Sequence, residues 1–237
     1  MKKTRILILI LSLLISGGIP HVLRAEGLIE GFRKVAPAVG ALYSRNIGGD
    51  LTFTCTVTAI EKEEKVTLFL TAYHCVRQDV AYLITLDGKQ FYAARVWRIP
   101  HDKLDAAKYP RRYGEPETDM AFFLVDKNLP VQPIKVGDDT GIEPGTRILV
   151  VGFPLGITKI NYEGIIAGRL EQAGSDRDGY LMLQSFGAPG SSGSAVIDAG
   201  DNTIVGVLVS AESARVGLPV IFATPISYRR WLINAEE

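Results

Sequence analysis

The sequence predicts an all-β fold, either a sandwich or a pair of barrels, and three observations lead there. Short segments rich in Val, Ile, Thr, Phe and Tyr recur about twelve times in the 237 residues, set apart by turn residues. Helical periodicity is clear only in the tail, around Ile226–Ile233, and is weaker in Leu28–Val35. No strand–helix alternation of the kind that builds a parallel sheet accompanies the series.

The elements follow in order. Val39–Arg45 runs into the turn Asn46–Ile47–Gly48–Gly49–Asp50 and returns as Leu51–Ile60. Beyond the charged tip at residues 61–65 comes Lys65–Leu70, and then Val80–Leu86, the hairpin turn Asp87–Gly88 and Gln90–Ile99. The loop Pro100–Thr118 has no apolar periodicity and separates two groups of strands. Met120–Val125 follows, then a break at Asp126–Glu143 containing Pro130, Pro133 and Gly137, which puts the best boundary between two halves near residue 130. The second group is Arg147–Phe153, Ile160–Leu170, Tyr180–Ser185, Ala195–Asp198, Thr203–Ser210 and Pro219–Thr224. No internal repeat or low-complexity tract stands out.

Residues 1–25 read as a secretory leader to be excluded from the fold. Lys2, Lys3 and Arg5 precede the apolar run Ile6–Leu11 and Leu13–Leu14–Ile15, and Leu23–Arg24–Ala25 offers a cleavage end. The run is short for a bilayer span, which speaks against an uncleaved anchor and predicts no stable membrane span after cleavage. The expected destination is outside the cytoplasm, periplasmic or extracellular. Lys+Arg and Asp+Glu each number 26; with Lys2, Lys3, Arg5 and Arg24 removed, 22 cations face 26 acids, a net charge of −4. Such a chain, without a basic block, has no electrostatic footprint for nucleic acid. Cys55 and Cys75 are the only cysteines. In an exported chain they predict one disulfide, closing a loop of about 20 residues and contributing about 3 kcal/mol on the chain-entropy model. Two cysteines alone are too few for a zinc site, and no metal or cofactor is expected.

Hydroxyl nucleophiles need a base within hydrogen-bond reach, a carboxylate to orient that base, and backbone N–H groups to hold an oxyanion. The sequence offers a candidate for each. Gly187–Ala188–Pro189–Gly190–Ser191–Ser192–Gly193–Ser194 surrounds Ser192 with glycines, which frees the backbone to aim the N–H groups of Gly190 and Ser192 into one pocket. A plain Gly/Ser hairpin turn is the alternative. An α/β-hydrolase elbow is excluded because no serine is central in G-x-S-x-G, and a P-loop because no Gly-Lys-Ser/Thr occurs. His74 closes the apolar run in LTAYHCV, where a partly buried structural histidine is the bland reading. His101, in PHDK, is assigned a solvated surface role. Asp119 opens the strand DMAFFLV, as a buried acceptor or as a strand-initiating turn residue; Asp102 and Asp105 lead into no such strand.

TAYHC, TDMAFFLV and PGSSGS, in the order His, Asp, Ser, resemble the chymotrypsin-like (trypsin-like) serine peptidases. LPVQPIKVGDDTGIEPGTRILVVGFPLG, GIIAGRLE and GSSGSAVIDAGDNTIVGVLVSA are similar to the bacterial HtrA-type and related secreted members, and FATPISYRRWLI to the closing strand and helix. The likeness spans about residues 35–233, with no PDZ-like segment after it. It implies two six-stranded antiparallel β-barrels within a domain at 26–237: an N-terminal barrel at about 36–128, a C-terminal barrel at about 129–225 and a helix at about 226–235. It also implies Ser192 as nucleophile, His74 as general base, Asp119 as its orienter, Gly190 and Ser192 N–H as oxyanion donors, and a Cys55–Cys75 bridge. The substrate would be a polypeptide, its P1 side chain meeting Phe186, Gly187, Ser210, Ala211 and Glu212. Phe186 stands where a trypsin-like acid would sit, so a small or aliphatic P1 is expected over a basic one, unless Glu212 points inward and reverses that preference. Ser191 replaces the aspartate that pairs with a freed N-terminus in the digestive branch, so activation by that salt bridge is not expected. The rival readings are an inactive binding protein on the same fold and an exported β-sandwich adhesin. Oligomeric state is not legible from the sequence.

Overall fold

The computed structural model describes residues 27–77, 80–97, 119–171, 179–212 and 220–228. The expected leader, the loop Pro100–Thr118 with His101, Asp102 and Asp105, and the tail helix beyond Tyr228 lie outside the described residues. Within them the chain opens with a helix, α1, at 27–35, whose Leu28 and Phe32 pack against the core. No helix among the described residues is long and apolar enough to cross a membrane.

Twelve strands follow. The first six are β1 (Val39–Arg45), β2 (Leu51–Lys62), β3 (Thr67–Thr71), β4 (Ala81–Thr85), β5 (Phe91–Trp97) and β6 (Ala121–Val125). The second six are β7 (Arg147–Gly152), β8 (Ile160–Arg169), β9 (Leu181–Gln184), β10 (Ala195–Asp198), β11 (Ile204–Glu212) and β12 (Val220–Pro225). Each set closes into an antiparallel barrel, in the order β1-β2-β3-β6-β5-β4 and in the matching order β7-β8-β9-β12-β11-β10. The expected double barrel is therefore the fold. It also contains a repeat that the residues do not announce, because strand order is set by hydrogen bonding and turn geometry rather than by side-chain identity.

Closure brings β1 onto β4, with Leu42 opposite Ile84, and β7 onto β10, with Val150 opposite Val196. Side chains of a strand alternate between faces, and in β7, β10 and the Ile204–Val209 part of β11 both faces are buried. Ile148, Val150, Val196, Val205, Leu181 and Leu183 fill its interior. Their neighbours Leu149, Val151, Ala195, Ile197, Ile204 and Val207 belong instead to the larger core that holds Phe69, Leu70, Phe122 and Phe123 of the first barrel. That double duty explains the unbroken apolar run RILVVGF, since a strand covered on both faces needs no polar alternation.

Polar ties supplement this apolar joint. Lys159, at the start of the second barrel's outer hairpin, donates to the Ala36 carbonyl at 2.9 Å and the Leu86 carbonyl at 3.3 Å. Burial holds its ammonium below the usual lysine range, with Asp87 opposing that shift. Asp139, in the segment between the barrels, has a side chain only 2% exposed. It accepts from Arg169 Nη2 at 2.9 Å, from the Ser227 N–H at 2.5 Å and from the Ser227 hydroxyl at 3.2 Å. Removing one partner of a buried pair leaves the other charge uncompensated. Asp139→Ala is accordingly expected to lower unfolding free energy by about 3–5 kcal/mol; a urea titration showing under about 1 kcal/mol, the worth of an exposed pair, would contradict this packing.

Candidate active site

His74 sits in a single 3-10 turn, Tyr73–Cys75, at the end of β3. The turn is closed by Cys75 N–H to the Ala72 carbonyl at 3.2 Å and Val76 N–H to the Tyr73 carbonyl at 2.8 Å. Cys75 is bridged to Cys55 of β2, with Cα atoms 6.1 Å apart, so the turn is bolted to a buried strand. The Sγ atoms and a His74 ring nitrogen lie within 4.8 Å of one another, but a disulfide leaves no thiolate, and the trio offers a metal only an imidazole.

Asp119, one residue ahead of the buried Met120, grips His74 twice. Its Oδ1 accepts the His74 backbone N–H at 2.8 Å and its Oδ2 faces Nδ1 at 2.7 Å. Side-chain exposure is 17% for Asp119 and 45% for His74, so the carboxylate lies behind the ring. With the Nδ1 proton directed to the carboxylate, Nε2 remains as the basic edge of a ring fixed in one orientation.

Ser192 lies on the loop between β9 and β10. Ser191 N–H donates to the Ala188 carbonyl at 2.9 Å, closing a turn with Pro189 and Gly190 at its centre, and Gly190 has φ +93°. Proline second and a positive-φ glycine third make this a type II turn. The Pro189 carbonyl accepts the Leu155 N–H at 2.6 Å. A trans peptide is planar, so this bond turns the Gly190 N–H to the opposite side. Among the described residues, neither the Gly190 nor the Ser192 N–H is taken up by a hydrogen bond. The loop is tied to both barrels: Thr56 N–H of β2 donates to the Ser192 carbonyl at 2.9 Å, and Gly193 N–H donates to the Leu208 carbonyl of β11 at 2.8 Å.

The Ser192 hydroxyl points at the Val209 carbonyl, 3.4 Å away. Val209 is the extra residue of a bulge in β11: Leu208 pairs with Ala223 and Ser210 with Phe222. A bulged residue leaves the ladder, which directs its carbonyl to the serine. Ser191 is fully buried, and its hydroxyl accepts the Ala188 N–H at 3.3 Å. Beside it, burial raises the Tyr162 phenol above its ordinary range, with the Ser191 and Ser194 hydroxyls opposing. A neutral hydroxyl cluster thus underlies the loop.

The remaining sequence candidates fall on the second barrel. Phe186 is 52% exposed and meets Tyr162 edge-on, with ring centroids 5.6 Å apart. Gly187 lies over Ile221, whose Cδ1 is 3.1 Å from where a Cβ would stand. Ser210, Ala211 and Glu212 end β11 in register with Phe222, Ile221 and Val220. Sequence reading missed Leu155, Val209 and Thr56, which act through backbone groups or over long sequence separations.

Residues 54–207 match the family model of the trypsin-like peptidase domain. A protein of Staphylococcus haemolyticus (strain JCSC1435) described as serine protease HtrA-like is 36% identical over 126 residues, which is 47% of this chain and 19% of that protein. The solved HtrA-type protease AlgW with tripeptide superposes with a TM-score of 0.63 at 23% identity, over 84% of this chain and 60% of that one. The serine endoprotease from Yersinia pestis does so with a TM-score of 0.65 at 19% identity, over 87% and 65%. At these identities the structural likeness shows the fold. The chain spans about a fifth of the curated relative and under two thirds of either solved chain.

Gly193 reports on how tightly the loop is seated. It has φ +85°, and a Cβ there would stand 2.1 Å from Thr71 Oγ1 and 2.2 Å from the Thr56 carbonyl oxygen. Gly49 has a similar φ of +92° with nothing within 4 Å. Gly49→Ala is expected to cost about 1–2 kcal/mol from backbone conformation alone, and Gly193→Ala at least about 2 kcal/mol more from the clash. Equal urea midpoints for the two variants would contradict the seating.

Proposed function

The chain belongs to the trypsin-like peptidase domain family, and from that premise we propose that it is an exported serine endopeptidase acting through Ser192, His74 and Asp119. The observation that carries this reading is the double grip of Asp119 on His74, because it orients a basic Nε2 beside the loop that holds Ser192. That loop abuts the residues leading to His74: a Cβ on Gly193 would stand 3.1 Å from the Ala72 nitrogen.

In the proposed reaction Ser192 Oγ adds to the scissile carbonyl while its proton passes to His74 Nε2. Asp119 stabilises the imidazolium so formed without taking the proton. The carbonyl oxygen becomes an oxyanion between the N–H groups of Gly190 and Ser192, where fixed dipoles stabilise developing charge. Collapse breaks the C–N bond as His74 returns the proton to the leaving amine, which leaves an ester on Ser192. Water, deprotonated by His74, adds to that ester, and the second collapse releases the acid and restores the serine hydroxyl.

The peptide substrate is consistent with the tripeptide held by the AlgW structure. By the resemblance Phe186 stands where a trypsin-like acid would sit, which supports a small or aliphatic P1 residue over a basic one. The leader-like residues 1–25 and the Cys55–Cys75 bridge support export, since disulfides persist in oxidising compartments. One observation favours the rival, an inactive binding protein: the Ser192 hydroxyl bonds Val209 and not His74. At 3.4 Å that bond is weak, and side-chain rotation is fast beside any turnover. The rotamer is a resting position.

The test is intact mass after treatment of the mature protein with a fluorophosphonate. Wild type is expected to gain one adduct, and both Ser192→Ala and His74→Ala to gain none while keeping the wild-type melting transition. No adduct on folded wild type, or an adduct surviving in Ser192→Ala, overturns the assignment.

A further inference from the structure

Thr56 is fully buried in β2, and all of its polar groups are hydrogen-bonded, two of them to the loop that carries Ser192. Its backbone N–H donates to the Ser192 carbonyl at 2.9 Å and its carbonyl accepts the Thr71 hydroxyl at 2.7 Å. Its own hydroxyl donates to the Gly190 carbonyl at 2.9 Å and accepts the Phe153 N–H at 3.0 Å. Both peptide planes flanking the Ser191–Ser192 peptide, those of Gly190–Ser191 and Ser192–Gly193, are therefore held by this one residue. The intervening plane, which carries one of the two oxyanion donors, is held between them and by the Ser194 N–H bond to the Ser191 carbonyl at 3.0 Å. Phe153 extends the same control. It precedes the turn Pro154–Gly156, whose Leu155 N–H fixes the Pro189–Gly190 peptide and with it the second donor.

We propose that Thr56 is a positioning residue for the peptidase reaction: its hydroxyl, through the Gly190 carbonyl and the Phe153 N–H, holds the turn that aims the oxyanion donors, and its backbone N–H holds the Ser192 carbonyl, without touching the substrate. This rests on the reading of Ser192 as nucleophile. The role requires a group that donates and accepts at once from a β-carbon, which serine retains and the isosteric valine loses. Valine would leave the Gly190 carbonyl and the Phe153 N–H without their partner, so the Gly190–Ser191 peptide would lose its tie to β2 while the backbone bond from Thr56 N–H to the Ser192 carbonyl stays. The His74–Asp119 pair is untouched by the change. Thr58 supplies the internal control: it is equally buried two residues along the same strand, and its hydroxyl has no hydrogen-bond partner among the described residues.

The experiment compares wild type, Thr56→Val, Thr56→Ser, Thr58→Val and Ser192→Ala, all well below their melting temperatures. It reads the second-order rate of phosphonylation by a fluorophosphonate, and kcat and KM on a peptide ester. Thr56→Val is expected to slow phosphonylation and kcat by about 10- to 100-fold, the scale of a misplaced reacting group or a lost oxyanion donor. KM and the pH midpoint of kcat/KM should stay put. Thr56→Ser should recover most of the rate, and Thr58→Val should match wild type. Thr56→Ala removes the same hydroxyl and carries the test if the valine variant does not fold. Wild-type rates in Thr56→Val, no rescue by serine, or an equal loss in Thr58→Val each overturn the positioning role while leaving the peptidase reading in place. A wild type that takes no adduct overturns both.

Discussion

The site depends on one step along β2, from Cys55 to Thr56. Adjacent residues of a strand face opposite ways, and this pair uses both directions. Cys55 turns into the first barrel's core and is bonded to the turn that carries His74. Thr56 turns outward and holds the loop that carries Ser192. Two groups from different barrels are thereby referred to the same stretch of backbone. A shift of one residue in the β1–β2 register would exchange the two faces and separate the His74 turn from the Ser192 loop.

That stretch stays fixed because of how the barrels meet. Residues of β7, β10 and the Ile204–Val209 part of β11 divide between filling the second barrel and packing on the first, so both faces there are covered. Sliding the barrels would expose apolar area at about 25 cal/mol per Å² and break the Lys159 ties to Ala36 and Leu86. Irregularities fall where they are useful. The β11 bulge takes the Val209 carbonyl out of the ladder and aims it at Ser192, and the left-handed Leu155, φ 57°, directs an N–H at Pro189. Bulges and strained residues cluster near active sites for this reason.

Much of this was legible in the residues. Strand positions followed from β-branched and aromatic runs bounded by turns, and His74 and Asp119 stood out because few histidines and few strand-opening acids compete. The paired cysteines spoke for themselves. Thr56 did not, because LTFTCTVT reads as an ordinary strand in which every threonine is only a good β-former, and its hydroxyl's partner lies 134 residues away. Val209 and Leu155 were hidden for a different reason: both work through backbone groups, which a side-chain pattern does not encode. The shared strand order of the barrels was equally hidden, since hydrogen-bond topology can persist with no matching residues.

The most direct test is a crystal structure of the mature protein after reaction with a fluorophosphonate. The account predicts phosphorus bonded to Ser192 Oγ and a phosphoryl oxygen within hydrogen-bond distance of the Gly190 and Ser192 N–H groups. It also predicts that Thr56 keeps its bonds to Gly190, Phe153 and Ser192, with the serine oxygen turned away from Val209. A phosphoryl oxygen lying elsewhere, or a loop that has left Thr56 in order to bind it, would contradict the claim that this strand step builds the site.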